Sequence, residues 1–150
     1  MKIERIWAMP SHKTFTIKPI KELLEEELSD SYVDPFPFPF ERDALKFLKE
    51  FEDNSVDELV FDPPYSPRQV KEMYGNTGFA YTTKASYWSD LKNEITRIMK
   101  KGGKVISFGW TSQGMGKNRG FEITRILLVP HGGNHNDTIC TVEIKKNQVT

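Results

Sequence analysis

The stretch Leu59–Val70, LVFDPPYSPRQV, decides how this chain is read. Leu59, Val60 and Phe61 have the unbroken apolar character of a strand buried on both faces. Asp62, Pro63, Pro64 and Tyr65 follow at once. Proline fixes φ and supplies no N–H donor, so Pro63–Pro64 closes the strand in a stiff turn. What remains is a pair of outward carbonyls, with the Asp62 carboxylate beside them and the flat face of Tyr65 next to both. The turn offers acceptors only, plus a stacking platform. Its natural partner is a planar ring bearing an exocyclic –NH2. The competing reading is a purely structural turn. Asp-Pro-Pro-Tyr arises by chance in a chain this long with a probability on the order of one in a thousand.

Upstream, FTIKPIKELLEEELSD predicts an extended lead-in and a helix from about Pro19, with Ile20, Leu23, Leu24 and Leu28 at helical spacing. SYVDPF reads as a short strand ending in Asp34-Pro35. Pro35–Phe40 alternates proline and phenylalanine and suits neither a helix nor a central strand. RDALKFLKEF predicts a helix with Ala44, Leu45, Phe47, Leu48 and Phe51 inward, and NSVDELVFDPP a second strand. Downstream, PRQVKEMYG predicts a short helix and GNTGFAYTTKAS a loop. SYWSDLKNEITRIMKKGG is the clearest helix, with Ser86 or Ser89 as cap, an apolar stripe of Trp88, Leu91, Ile95, Ile98 and Met99, and Gly102-Gly103 as stop. KVISFGW reads as a buried strand and TSQGMGKNRG as a basic loop. FEITRILLVPHGG and DTICTVEIKK read as two final strands around the polar loop HGGNHND.

Strands separated by helices, with buried rather than alternating patterns, predict an α/β fold with a mostly parallel sheet covered on both faces. The connection between the last two strands is too short for a crossover helix, so they form an antiparallel C-terminal hairpin. Ligands of such sheets bind beyond the carboxyl ends of the strands. Asp62–Tyr65, Asp34-Pro35 and the Gly109–Gly120 loop all sit at predicted strand ends.

A length of 150 residues, with 37% apolar and 28% charged, fits one soluble domain spanning 1–150. No apolar run approaches the ~18 residues of a membrane span, and the N-terminus has no signal-peptide core. A single cysteine, Cys140, excludes an internal disulfide and fits a reducing, cytoplasmic setting. In TICTVEI it reads as a small strand residue rather than a nucleophile. Net charge is zero, yet residues 1–75 carry 10 Lys+Arg against 16 Asp+Glu and residues 76–150 carry 11 against 5. Either the basic half faces phosphate, or the halves interleave and the asymmetry cancels.

The sequence resembles the S-adenosylmethionine-dependent amino-methyltransferases, specifically the adenine-N6 DNA methyltransferases of bacteria and their phages. FDPPYSPRQV, DALKFL, KKGGKVISFGW, RILLVPHGGNHNDT and the WAMP…TFTIKPI lead-in carry the likeness over most of the chain and look like phage or prophage members. The resemblance implies a Rossmann-like methyltransferase core. It also implies catalysis by Asp62, Pro63, Pro64 and Tyr65, with the target adenine flipped from DNA onto Tyr65. Its amine would donate to the Asp62 carboxylate and the Pro63 carbonyl. An aspartate in first position leans toward adenine, a serine toward cytosine N4.

For the cofactor, S-adenosylmethionine, the resemblance points to Asp34, Pro35 and Phe36 beside the methionine moiety and to Asp43 at the adenine amine. Thr14 and Phe15 would close over the methionine end. Phe15 and Phe36 read equally as core, and Asp43 as a helix N-cap. The pattern departs from the family in one place. No glycine-rich turn follows the first strand, and only six residues separate Phe36 from Asp43. A crossover helix and second strand do not fit there. Either that unit is lost, or a segment near 36–42 is absent from this form and cofactor binding is weak.

Several weaker signals remain. His131, His135 and Asp137 read as a loop, near the flipped base or a plain hairpin turn, since two glycines oppose a helical metal site. GMGKNRG lacks the Ser/Thr of a phosphate-binding loop at Asn118. Lys117, Arg119 and Arg68 are candidates for DNA phosphates or plain solvated charges. Trp110 lines the cofactor pocket or packs half-buried. With no separate recognition domain, target specificity comes from loops, from a partner in a homodimer, or is loose. The rivals are transfer to RNA, cytosine N4 or a glutamine amide, and a degenerate non-catalytic relative that binds nucleic acid.

Overall fold

The computed structural model describes residues 1–11, 13–37, 42–64, 85–133 and 135–146. Among these, five strands form one sheet: β1 (Lys2–Arg5), β2 (Val56–Phe61), β3 (Met99–Gly109), β4 (Phe121–Val129) and β5 (Thr138–Lys145), in the order β1-β4-β5-β3-β2. The helices are α1 (Lys18–Glu27), α2 (Ala44–Lys49) and α3 (Ala85–Ile98). β1 runs parallel to β4 and β2 to β3, while β5 runs antiparallel to both its neighbours. Four strands therefore share a direction and β5 alone opposes them. This is the expected α/β architecture, a Rossmann-like sheet with an antiparallel C-terminal hairpin. The returning hairpin strand inserts between β4 and β3 rather than extending the sheet edge.

The continuous apolar strands follow from burial on both faces. Leu59 and Phe61 join Val105 in a cluster with Ala44 and Leu48 of α2 and Leu91, Ile95 and Ile98 of α3. Val60, Ile106 and Phe108 turn the other way and meet Ile20, Leu23 and Leu24 of α1. The two-residue alternation thus divides each strand between two apolar layers instead of between core and water.

The structure departs from expectation in four places. β1 was not anticipated: KIER carries little apolar signal, and it is a strand because β4 pairs with it. SYVDPF is not a full strand but a single parallel bridge, Val33 to Leu59. The Val33 N–H donates to Glu58 O and Val33 O accepts from the Val60 N–H, each at 2.9 Å. The ladder stops there because Pro35 has no donor and Asp34 Oδ1 takes the Phe36 N–H at 3.0 Å, turning the chain. The lead-in is not extended at Thr14–Thr16, which forms a short 3₁₀ turn. α3 ends at Ile98, before Gly102-Gly103, because its last carbonyls are taken from outside the helix. Lys145 Nζ donates to Thr96 O and Met99 O at 2.7 and 2.8 Å, and the Asn54 and Ser55 amides donate to Arg97 O and Ile98 O. Ser86 and Ser89 lie inside α3, where Ser89 Oγ accepts from Arg119. The helix expected over PRQVKEMYG lies outside the described residues.

Part of the charge asymmetry of the two halves is taken up by ion pairs between them. Arg125 of β4 meets Glu4, Glu26 and Glu27 at 2.7, 2.7 and 3.2 Å, and Lys104 meets Glu27 at 2.8 Å. Arg97 meets Asp53 at 2.7 Å, and Lys100 meets Asp57 at 3.3 Å. Each pair joins a basic residue of the second half to an acid of the first. No helix among the described residues is long and apolar enough to cross a membrane.

Candidate active site

Asp34 follows the single Val33 bridge to β2 and Asp62 follows β2 itself, so the two stand at the same end of the sheet. Val33 is the residue bridged to β2, and Phe61 ends β2, so both carboxyl groups emerge past the carboxyl ends of the strands. Burial pushes the Asp62 carboxyl up to about 7; a hydrogen bond from the Thr14 hydroxyl opposes the rise and the Asp34 charge adds to it. Burial likewise pushes Asp34 up to about 6, against the Phe36 N–H and the Arg42 guanidinium.

The neighbours of the two carboxyl groups come from separate elements. Thr14 opens the 3₁₀ turn ahead of α1. Phe15 packs on Phe108 at 5.2 Å between ring centroids and edge-on against Tyr32 at 6.3 Å. Burial and the Asp34 charge raise the Tyr32 hydroxyl. Beneath Asp62 lies Cys140, whose thiol is pushed up by burial and by the Asp62 charge. It is a buried residue of β5, as its alternating context predicts. Arg42 donates to the Asp34 backbone carbonyl and lies 3.6 Å over the Phe47 ring, tying the strand end to α2.

The structure gathers some of the expected residues and separates others. Thr14, Asp34 and Asp62 come together, and buried Pro35, Pro63 and Pro64 frame their strand ends. Phe36 is buried in the core cluster with its ring 6.0 Å from Phe61, and Phe15 packs against the opposite core layer. Asp43 is the N-cap of α2, its Oδ1 accepting from the Lys46 N–H at 3.2 Å. Tyr65 and Arg68 lie outside the described residues. Trp110 is exposed past the end of β3.

Lys117 and Arg119 are not brought to Asp62. They form a 3₁₀ turn just before Phe121, the first residue of β4, at the amino-terminal end of the parallel strands. The loop leaves β3 at the carboxyl end but must cross back to start a strand of the same direction. Arg119 is half-buried and held against the protein, donating to Asn93 Oδ1, Met115 O and Ser89 Oγ at 3.1, 3.2 and 3.3 Å. Lys117 is exposed. The loop is pinned from below by buried Glu143, which accepts from the Met115 and Gly116 amides at 2.7 and 3.0 Å. His131 is a structural link, its Nδ1 2.9 Å from Ala8 O and its Nε2 2.7 Å from Thr138 Oγ1.

Sequence reasoning missed Thr14 as the partner of Asp62, and Arg42 and Tyr32 as neighbours of Asp34. Arg42 alone left a signal, as the one cation between the Pro-Phe alternation and α2. The site presents acceptors and desolvated negative charge. It can take N–H donors and hold positive charge.

No protein-family model and no curated protein matches the chain. Among solved structures, a candidate DNA modification methylase of Thermus thermophilus is similar with a TM-score of 0.48 at 17% identity, over 73% of this chain and 54% of its own. TrmN from Thermus thermophilus gives 0.46 at 15%, over 97% and 44%. A SAM-dependent methyltransferase from Aquifex aeolicus gives 0.43 at 9%, over 97% and 82%. The chain spans about half the length of the Thermus methylase. At TM-scores below 0.5 these likenesses assign no activity.

Proposed function

We propose that this chain is an amino-methyltransferase that moves a methyl group from S-adenosylmethionine to the N6 amine of adenine in DNA. The observation that carries the reading is the pair of desolvated carboxyl groups, Asp34 and Asp62, at the same end of the sheet, with Pro63–Pro64 fixing the chain beyond Asp62. Both groups sit above the usual carboxylate range chiefly because burial outweighs the Thr14, Phe36 and Arg42 groups that oppose it. That imbalance fits a cofactor bearing a sulfonium and an ammonium group. Asp34 and Thr14 would hold its methionine end. When bound, the cofactor supplies an electrophilic methyl group.

Asp62 would accept one hydrogen of the target amine and the Pro63 carbonyl the other. Accepting both hydrogens draws the nitrogen lone pair out of the ring and stabilises the positive charge that grows on it. The prolines hold these acceptors in place, so positioning carries much of the rate. Thr14, by donating to Asp62, favours its ionised, accepting form. Tyr65 is assigned the stacking face for the base and Arg68 a contact to DNA phosphate, while Lys117, at the opposite end of the strands, has no part in this site.

Methyl transfer to DNA, followed by digestion with methylation-sensitive nucleases, tests the reading. Asp62→Ala is expected to abolish transfer while leaving cofactor affinity nearly intact. Transfer retained by that variant refutes the role of Asp62.

A second reading, a non-catalytic relative, draws on two observations. Asp43 spends one carboxylate oxygen on the α2 cap, and the strand that should cradle the cofactor is reduced to one bridge. Calorimetry with S-adenosylmethionine separates the two: no heat at millimolar cofactor favours the relic.

A further inference from the structure

Large apolar side chains exposed to water concentrate at one place. Of the six among the described residues, five lie within nine residues: Met1 76%, Ile3 61%, Ile6 43%, Trp7 59% and Met9 69% exposed. They sit on and just beyond β1, an edge strand of the sheet. A regular edge strand is a template for further pairing, and soluble proteins blunt it with proline, a bulge, short length or charge; β1 is short and carries Lys2, Glu4 and Arg5, so any partner strand must answer those charges. β1 itself contains no proline and pairs with β4 in unbroken register, Lys2 to Arg125 through Arg5 to Leu128.

The backbone polarity of this edge is defined. The Ile6 and Ala8 amides donate inward, to Leu128 O at 2.9 Å and Pro130 O at 3.1 Å. Even-numbered residues therefore turn their backbone groups to β4. Odd-numbered residues, Ile3, Arg5 and Trp7, turn theirs outward.

We infer that β1 is a self-pairing edge: two copies of this chain join antiparallel about a two-fold axis through Ile3, merging two five-stranded sheets into one. Antiparallel pairing must set odd residues against odd ones, whose outward groups then bond, and this holds for a two-fold axis through any residue of β1. An axis at Lys2, Glu4 or Arg5 sets that charged residue against itself. An axis at Ile3 sets Ile3 against Ile3 and places each Lys2 opposite Glu4 of the second copy. Opposite charges across a strand pair stabilise it and like charges oppose it, so charge selects Ile3.

The receiving end is acidic. Glu4 shares Arg125 with Glu26 and Glu27, so three carboxylates gather around that guanidinium. Lys2 already approaches Glu4 of its own chain at 3.5 Å and is largely exposed, free to reach across. The inference does not depend on the methyltransferase reading, because β1 contributes no residue to the Asp34–Asp62 site.

Sedimentation velocity over a rising protein concentration tests it. The 17.4 kDa chain is expected to pass from monomer to dimer. Ile3→Lys puts two cations at the axis while changing a side chain that the monomer leaves exposed. It should stay monomeric and keep the wild-type melting temperature. Lys2→Glu, a second exposed change, should weaken association about tenfold at low salt. A wild-type chain that stays monomeric at every concentration overturns the inference. So does a folded Ile3→Lys or Lys2→Glu variant that dimerises as the wild type does.

Discussion

Asp62 is costly where it stands. Its carboxyl is raised by burial to about 7 from an ordinary 3.8, so the folded state binds a proton more readily than the unfolded chain does. The stability it contributes is full below pH ~4 and is lost as pH rises through ~7. Asp62→Asn carries no such dependence. Between pH 4 and 8 the variant is expected to gain about 2 kcal/mol on the wild type, well under the full value of the shift because Asp62 is only half-buried. Urea unfolding at both pH values measures this, and an unchanging difference would contradict it. Thr14 acts on the same group. Thr14→Val removes the donor that favours the ionised carboxylate, so the Asp62 titration should move up by about one unit. The carboxyl resonance of Asp62, followed by NMR, reports the shift without any activity assay.

At the scale of elements, α2 is six residues long and depends on its cap. Asp43→Ala should cost about 1 kcal/mol of stability. The same variant separates the two roles of Asp43: an unchanged affinity for S-adenosylmethionine makes it a cap only, and a weakened one makes it a cofactor contact as well. The loop between β3 and β4 depends on a different device. Gly114 has φ +53°, and a Cβ there would run into the Glu143 carboxylate that holds the Met115 and Gly116 amides. Gly114→Ala therefore combines strain with a displaced buried acid, and a loss of about 2–3 kcal/mol is expected in thermal unfolding. Both features were half legible beforehand. Asp43 ahead of ALKFL already reads as a cap. The glycines of the loop read as flexible, because nothing local shows that a residue nearly thirty positions away lies beneath them.

The whole molecule is knit by pairs between distant segments. Arg125 links β4 to β1 through Glu4 and to α1 through Glu26 and Glu27. Its hydrogen bond and charge hold Glu4 below the usual carboxylate range. Glu27 is held low too: burial would raise it, but hydrogen bonds from Lys104 and Arg125 prevail. Arg125→Met is expected to cost about 3 kcal/mol at neutral pH, because it leaves three acids facing one another. Carboxylates with a lowered folded pKa contribute stability above their unfolded values and lose it as pH falls. The difference between variant and wild type should therefore shrink as pH drops through the carboxylate range. Denaturant midpoints at neutral and acidic pH check this. The same pairs show why a basic second half need not mean a basic surface: strand order places those charges against the acidic first half.

What the sequence determined by itself is local. The apolar runs at Leu59–Phe61 and in KVISFG, the helical spacing from Ile20 to Leu24 and the end of β2 just ahead of Pro63–Pro64 are each written within a few neighbouring residues, where propensity and periodicity act. The hairpin of β4 and β5 was legible for the same reason, since a short connection permits only an antiparallel return. What the tertiary structure alone decided is which of these pieces meet. Asp34 stands beside Asp62 because Val33 pairs with β2, Lys117 and Arg119 lie at the far end because β4 runs parallel to β3, and β1 is a strand because β4 accepts it. Such pairings are set by how distant segments share a core and satisfy each other's backbone groups, and that contest leaves no mark in any single stretch of the chain.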